Sequence, residues 1–208
     1  MKKLLIATTN PGKLNEIRQF LGDIPVTLLS LKDVGITDSV EETGKTFAEN
    51  AILKAKFYAQ KSGLLTLADD GGFEIDALGG EPGISSHRWV HKDRESSDEE
   101  LIEYTFQRMK DVPLTKRQAQ LRLVIVLVTP TGEVLATAED KVRGIVALTP
   151  SKTRTEGFPY RSILFLPVIG KFYDQSVMTD EETERYNHRK HALMYLKPFL
   201  LQIAAGGV

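Results

Sequence analysis

Hydrophobic residues cluster in short runs along the first third of the chain, and polar segments separate these runs. Residues 3–8 and 26–31 are compact apolar runs, which favour buried strands. Between them, residues 14–21 carry apolar side chains at helical spacing. A polar loop follows over residues 32–45. The pattern therefore predicts a strand, a helix and a second strand before the first long loop.

The clearest helix is predicted over residues 46–62. Thr46 and Glu49 form a capping box at its start, apolar residues recur along one face, and Gly63 supplies the stop. Residues 64–68 then form another apolar run that is typical of a buried strand. This part of the chain thus predicts a helix that leads directly into a strand.

One predicted β-hairpin dominates the second half of the chain. Apolar residues alternate and then become continuous over residues 117–129, a turn follows at residues 130–133, and a returning strand is predicted over residues 134–146. We expect this hairpin to form a second lobe. The other predicted elements are a helix over about residues 98–110, a loop over residues 148–159, a short strand over residues 163–166 and a helical region over residues 179–205 that is interrupted near Pro198.

The composition places the chain among ordinary globular proteins. Its 208 residues are 41% hydrophobic and 26% charged, which suits a single domain over residues 1–208 with two lobes. The net charge of −1 gives no bulk positive field that would hold nucleic acid. The lack of cysteine excludes disulfides and thiolate metal sites, and the N-terminal apolar run is too short for a signal peptide or a membrane span. We expect a cytoplasmic protein with no membrane partner.

The segment Thr8-Thr9-Asn10-Pro11-Gly12-Lys13 has the parts of a phosphate cradle. It lies where a predicted strand ends and a helix begins. Glycine lets a ligand approach the backbone, the free N–H groups of a helix N-terminus favour an anion, and Lys13 adds a positive charge. The same composition also suits a plain turn that carries a solvated lysine.

The next candidate combines the end of the polar loop with the helix after it. Glu41 and Glu42 lie in the loop, while Asn50 and Lys54 lie four residues apart on one helix face and are placed to point at one ligand. Mg²⁺ prefers one or two carboxylates together with water and substrate phosphates, so the glutamates suit half of a Mg²⁺ site. The alternative is an acidic turn before an ordinary amphipathic helix.

The segment Asp69-Asp70-Gly71-Gly72 follows the strand predicted at residues 64–68. Adjacent carboxylates repel each other and both glycines cost backbone entropy, so these residues are a poor choice for stability. We expect the chain to reach the surface here, where a carboxylate can hold a metal ion or accept a proton from water. A simple Asp-Gly turn is the alternative.

Two later segments offer further polar and aromatic groups. Asn187-His188-Arg189 precedes the final apolar helix and suits either a solvated pair or a ligand contact. Glu156-Gly157-Phe158-Pro159-Tyr160-Arg161 carries two aromatic rings that suit either stacking on a base or anchoring the core. The four histidines do not have the spacing of a zinc site.

Together these segments resemble the inosine triphosphate pyrophosphatase family, also called Ham1-like, whose members hydrolyse deaminated purine nucleotides such as ITP, dITP and XTP to monophosphate and pyrophosphate. The resemblance runs from residue 4 to about residue 196. Its most specific parts are Thr8-x-Asn10-x-Gly12-Lys13, Glu41-Glu42-Thr43-Gly44-x-Thr46-Phe47-x-Glu49-Asn50-Ala51-x-x-Lys54-Ala55, Ala68-Asp69-Asp70, and Asp76-Ala77-Leu78-Gly79-Gly80-x-Pro82-Gly83-Ile84-x-Ser86-x-Arg88.

The resemblance implies an α/β fold with an elongated mixed β-sheet flanked by helices, two lobes with a central nucleotide cleft, and a homodimer. It implies that Asp70 accepts a proton from the water that attacks the α-phosphorus, and that Glu41 or Glu42 organises Mg²⁺ together with Asp69 and Asp70. The substrate would be a purine nucleoside triphosphate. The residues implied to bind it are Thr8, Thr9, Asn10, Pro11, Gly12, Lys13, Lys54, Gly71, Phe158, Pro159, Tyr160, Arg161, Thr183, His188 and Arg189.

The chain departs from the family pattern in the segments expected to read the base. Gly71 stands where the family usually has serine, and Thr183 aligns with a family lysine. Pro159 and Arg161 replace a glycine and an aspartate. Three hypotheses follow: hydrolysis of deaminated purine triphosphates, a pyrophosphatase with shifted base specificity, or a nucleotide-binding module that has lost turnover.

Overall fold

The computed structural model describes residues 1–91 and 93–206, and within them the chain forms seven strands and five α-helices. In chain order these elements are β1 (Lys2–Ile6), α1 (Pro11–Leu21), β2 (Val26–Ser30), α2 (Phe47–Ser62), β3 (Leu65–Ile75), α3 (Asp98–Arg108), β4 (Gln118–Val128), β5 (Val134–Val146), β6 (Leu164–Leu166), β7 (Lys171–Phe172), α4 (Asp180–Tyr186) and α5 (His188–Ala204). None of the described helices combines the length and the apolar character needed to cross a bilayer.

The strands form one sheet in the order β2-β1-β3-β4-β5-β6-β7. β1 pairs in parallel with β2 and with β3, whereas β6 pairs antiparallel with β5 and β7. The sheet is therefore mixed, and the predicted α/β class is confirmed.

The chain divides into two compact units. Unit 1 contains Met1–Asp70, Leu123–Asp140 and residues 188–206, and unit 2 contains Gly71–Arg122 and Lys141–Asn187. The predicted β4-β5 hairpin does not form a lobe of its own, because Leu123–Asp140 belongs to unit 1 while the start of β4 and the end of β5 belong to unit 2.

Unit 1 is a sheet with helices on both faces. α1 and α5 pack on one face, where Leu67 of β3 joins their core, and α2 packs on the other face with Ala68. Adjacent strand residues point to opposite faces, so both sides of β3 and β4 are buried in this unit. This explains the continuous apolar run in β4, which alternation alone does not produce.

Unit 2 has its own core around Phe73 and Tyr160, whose rings stack with their centroids 4.7 Å apart. The Tyr160 hydroxyl donates a hydrogen bond to the Ser86 carbonyl oxygen at 2.6 Å. The Ser86 hydroxyl in turn accepts a hydrogen bond from the Phe73 N–H at 2.8 Å. Tyr160 is thus held at both its ring and its hydroxyl.

Two element boundaries differ from the sequence-based predictions. β3 does not end at residue 68 but continues to Ile75, so Asp69 and Asp70 are buried within a strand and do not lie on a surface turn. The C-terminal helical region breaks at Asn187, whose backbone is extended, whereas Pro198 lies inside α5. Packing of α5 on the unit 1 core stabilises the helix through the proline.

Arg117 is a buried cation that binds backbone carbonyls. Its guanidinium donates hydrogen bonds to the carbonyl oxygens of Met109, Val112, Val146 and Ala147. Burial lowers the pKa of Arg117. Arg117 therefore joins the segment after α3 to the end of β5.

We expect Arg117→Met to lower the free energy of unfolding by about 3 kcal/mol, because several buried carbonyls lose their donor together. Urea denaturation followed by circular dichroism measures the change. The matched control is Arg143→Met, since Arg143 makes an ion pair with Asp76 in which both side chains are about half exposed. Exposed pairs are worth at most about 1 kcal/mol, so equal losses in the two variants would contradict the structural role of Arg117.

Candidate active site

Two adjacent aspartates on β3 form the centre of the candidate site. Because successive strand residues alternate, Asp69 lies on the face that carries α1 and α5, and Asp70 lies on the face that carries α2. Both carboxylates are buried. Each face supplies its own cations, and this arrangement makes two neighbouring buried charges tolerable.

Asp69 is bound by cations from α1 and α5. Its Oδ2 atom lies 3.0 Å from Lys13 Nζ and accepts a hydrogen bond of 2.6 Å from the Arg189 guanidinium. Arg189 Nε donates to Glu16 Oε2 at 2.8 Å, and Glu16 is itself buried. Burial alone would raise the pKa of Asp69, but Lys13, Arg189 and Lys54 together hold it well below its usual range. Asp69 is therefore ionised at neutral pH.

Asp70 is bound from the opposite face by Lys54 of α2. Lys54 Nζ lies 3.4 Å from Asp70 Oδ1 and 2.8 Å from Glu42 Oε1. Burial raises the pKa of Asp70, and Lys54 opposes this effect without cancelling it. For Lys54, burial acts to lower the pKa, but Asp70 and Glu42 raise it above its ordinary value. The pair thus combines a charged lysine with a carboxylate whose raised pKa makes it a better proton acceptor.

The segment from Thr8 to Lys13 forms the entry into α1. The Asn10 side chain accepts a hydrogen bond from the Lys13 N–H at 3.1 Å, and the Thr8 hydroxyl accepts one from the Asn10 N–H at 3.2 Å. Pro11 occupies the start of the helix. The alternative of a solvated lysine is wrong, because Lys13 reaches the buried Asp69.

Asn50 anchors the loop that carries Glu41 and Glu42. Its Oδ1 atom accepts a hydrogen bond from the Gly44 N–H at 2.7 Å, and the side chain is buried. Lys54, one turn along α2, instead reaches Glu42 and Asp70. The two residues therefore share a helix face as expected, but Asn50 fixes the loop while Lys54 faces the acidic cluster. Of the loop glutamates, Glu42 is the one bound to Lys54.

Two carboxylate oxygens of this group are of the kind that a divalent cation binds. Asp69 Oδ1 and Asp70 Oδ2 are buried, and neither has a hydrogen-bond partner among the described residues. Hard cations such as Mg²⁺ bind such oxygens. Within residues 1–91 and 93–206, no three His, Asp or Glu side chains are grouped closely enough to hold a metal ion alone. The donor set therefore suits an ion that completes its coordination with water and phosphate oxygens.

Unit 2 contains the residues predicted to read the base, and their role stays a prediction. Arg161 is 3% exposed, and its guanidinium carbon lies 3.9 Å from the centroid of the Phe158 ring. Arg161 also lies over the Tyr173 ring, at 5.4 Å. The members of this group are Gly71, Phe158, Pro159, Tyr160, Arg161 and Thr183. His188, predicted to join them, is buried at the start of α5 in unit 1.

Of the charged residues that the structure places in ion pairs around Asp69 and Asp70, Glu16 is the one that the sequence analysis does not identify. It is buried on α1 beside the apolar residues Ile17 and Phe20. A glutamate on the buried stripe of an amphipathic helix is the signal that was available, since such a carboxylate requires a cationic partner.

A family model described as the Ham1 family matches residues 4–199. The chain belongs to the Ham1 family. A Yersinia pseudotuberculosis relative named dITP/XTP pyrophosphatase is 39% identical over 197 residues, covering 93% of this chain and 95% of its own. The Escherichia coli relative of the same name is 38% identical and is covered over 96% of its length, against 94% of this chain.

Solved Ham1 structures share the fold. A HAM1 protein from Coxiella burnetii is 29% identical and superposes with a TM-score of 0.82 over 97% of this chain and 100% of its own. The Staphylococcus aureus Ham1 protein is 33% identical, with a TM-score of 0.78 over 96% of this chain and 98% of its own. The resemblance inferred from the sequence motifs is thereby confirmed.

We expect Gly44→Ala to reduce catalysis by about 10- to 100-fold, because displaced site residues are costly in rate. A β-carbon on Gly44 would lie 2.5 Å from Asn50 Oδ1 and 2.9 Å from Asn50 N, so the loop carrying Glu42 must move. Steady-state kinetics measure the effect. Thr43→Ala, at an exposed position in the same loop, is the control, and wild-type rates in Gly44→Ala would contradict the importance of the loop anchor.

Proposed function

We propose that this Ham1 protein is a Mg²⁺-dependent pyrophosphatase that hydrolyses ITP, dITP and XTP to nucleoside monophosphate and pyrophosphate. The observation that carries the proposal is the buried Asp69-Asp70 pair, which has two unpartnered carboxylate oxygens and cations on both faces of β3. The curated relatives named dITP/XTP pyrophosphatase support the choice of substrate.

In this proposal the two lysines bind the triphosphate. Lys13 and Lys54 offset negative charge on the phosphate oxygens, and the turn from Thr8 to Gly12 at the start of α1 presents the helix N-terminus to the same anion. Asp69 and Asp70 would hold Mg²⁺, with Glu41 or Glu42 beside them. The ion would neutralise phosphate charge when bound.

Asp70 is the proposed proton acceptor. It takes a proton from water as the water oxygen bonds to the α-phosphorus. The bond from that phosphorus to its bridging oxygen breaks, and the electron pair leaves with pyrophosphate. Burial, which raises the pKa of Asp70, favours this role.

The proposal includes a cytoplasmic location, a homodimer, and no membrane or nucleic-acid partner. The net charge of −1 supports the last point, since nucleic-acid binding depends on clustered positive charge. A nucleotide cleft shared between two lobes also stays a prediction.

A second candidate function is a pyrophosphatase with shifted base specificity. The observation that favours it is Arg161, whose buried guanidinium packs on Phe158 where the family usually carries an aspartate. When a binding site loses a hydrogen-bond acceptor, a different set of bases satisfies its remaining polar groups. Loss of turnover is the less favoured hypothesis because the acidic pair is present.

We expect Asp70→Asn to lower the rate constant kcat by at least about 100-fold, because a general base contributes that much or more. Stability at neutral pH should not fall. A carboxyl whose pKa is raised by folding costs stability once ionised, and the amide removes that cost. Lys54 loses this partner but keeps its ion pair with Glu42, so no unpaired buried charge is left. Pyrophosphate release and thermal unfolding measure the two effects. Near-parental rates would show that Asp70 is not the proton acceptor.

A substrate panel distinguishes the candidate functions. We expect pyrophosphate release from ITP, dITP and XTP to exceed release from ATP and GTP by at least about 100-fold in kcat/KM, as expected where buried polar groups read the base. Equal or greater turnover of ATP would refute the specificity for deaminated purines. Tight nucleotide binding by calorimetry with no pyrophosphate formed would instead favour a binding module.

A further inference from the structure

Glu16 lies behind the acidic pair, bound to it through Arg189. The Glu16 and Arg189 side chains are 6% and 5% exposed, and their contact is 2.8 Å. Arg189 reaches past Glu16 to Asp69 Oδ2 at 2.6 Å. A carboxylate so buried has a large desolvation cost, so its charge requires an explanation.

The charge balance of the cluster supplies that explanation. Within residues 1–91 and 93–206, the ion pairs around Asp69 and Asp70 join three cations, Lys13, Lys54 and Arg189, to four carboxylates, Glu16, Glu42, Asp69 and Asp70. When all seven groups are ionised, their charges sum to −1. Without Glu16 the same groups would sum to zero. A divalent cation that binds Asp69 would then lie near a guanidinium whose charge Asp69 alone has to offset.

The contacts also leave one oxygen of Asp69 available. Lys13 and Arg189 both bind Oδ2, while Oδ1 is buried and has no hydrogen-bond partner in the described part of the chain. Glu16 holds the Nε edge of Arg189, which directs the other edge of the guanidinium to Oδ2. The contact with Glu16 thus fixes the orientation of the Arg189 guanidinium and offsets its positive charge.

We propose that Glu16 is a positioning residue that neutralises and orients Arg189, and so keeps Asp69 Oδ1 available to a divalent cation. This inference rests on the proposed metal-dependent function and extends it to a residue that touches neither metal nor substrate. Its effect on the metal ion is electrostatic and is transmitted through Arg189.

The decisive variant is Glu16→Gln, which keeps an acceptor for Arg189 Nε and removes one negative charge. We expect the dissociation constant for Mn²⁺ alone, measured by the electron paramagnetic resonance signal of the free ion, to rise about 10-fold, since partly buried charges act strongly on a divalent ion. The MgCl₂ concentration for half-maximal pyrophosphate release should rise similarly, while the rate at saturating MgCl₂ stays within about threefold of wild type.

The matched control is Asp23→Asn. Asp23 makes an ion pair with Lys197 of α5, and its side chain is 66% exposed, so this variant loses the same formal charge and also an ion pair to α5. Its Mn²⁺ affinity should equal that of wild type. An equal loss of affinity in both variants would overturn the proposal, because net protein charge alone would then explain it.

The double variant Glu16→Gln/Arg189→Gln distinguishes an effect of charge from an effect of lost structure. It also tests the proposal if Glu16→Gln alone fails to fold. It restores the net charge, so we expect its Mn²⁺ affinity to lie within about threefold of wild type. Wild-type affinity in Glu16→Gln, or a double variant that binds about 10-fold more weakly than wild type, would refute the role of Glu16. If the wild-type chain released no pyrophosphate, the proposed function would fail, while the Mn²⁺ titrations would still decide this inference.

Discussion

The structure of unit 1 depends on compensation of two adjacent negative charges in the middle of a buried strand. Asp69 and Asp70 point to opposite faces of β3. Asp69 meets cations from α1 and α5, and Asp70 meets one cation from α2. Removing one partner from such a group leaves an unpaired buried charge, which is far more costly than losing a surface ion pair. The helices α1, α2 and α5 therefore do more than cover apolar surface, since each brings a cation that makes the aspartates tolerable.

Much of this fold was predictable from local pattern. The helix over residues 46–62 and the strand over residues 134–146 follow from periodicity and stop signals, and the structure places them within a residue of those bounds. The extension of β3 through Asp69 was not predictable in this way. Two carboxylates before two glycines are typical of a surface turn, and only cations distant in sequence reverse that preference.

The residues of the candidate site also divide into some that the sequence could predict and some that it could not. Motifs near Lys13, Lys54 and Asp70 were identifiable because each carries a recognisable residue set. The tasks of Asn50 and Glu16 were not, since one holds a loop and the other a guanidinium. Such roles depend on tertiary contacts that spacing along one helix does not reveal.

Unit 1 is built from segments that are far apart in the sequence, and this affects its folding during synthesis. Asp69 of β3 and Arg189 of α5 are in contact although they lie 120 positions apart in the sequence. A nascent chain that has not yet reached residue 189 lacks that guanidinium. Assembly of the acidic centre therefore waits until α5 has been synthesised, and a chain interrupted before His188 would carry the carboxylates of β3 without one of the cations that make their burial tolerable.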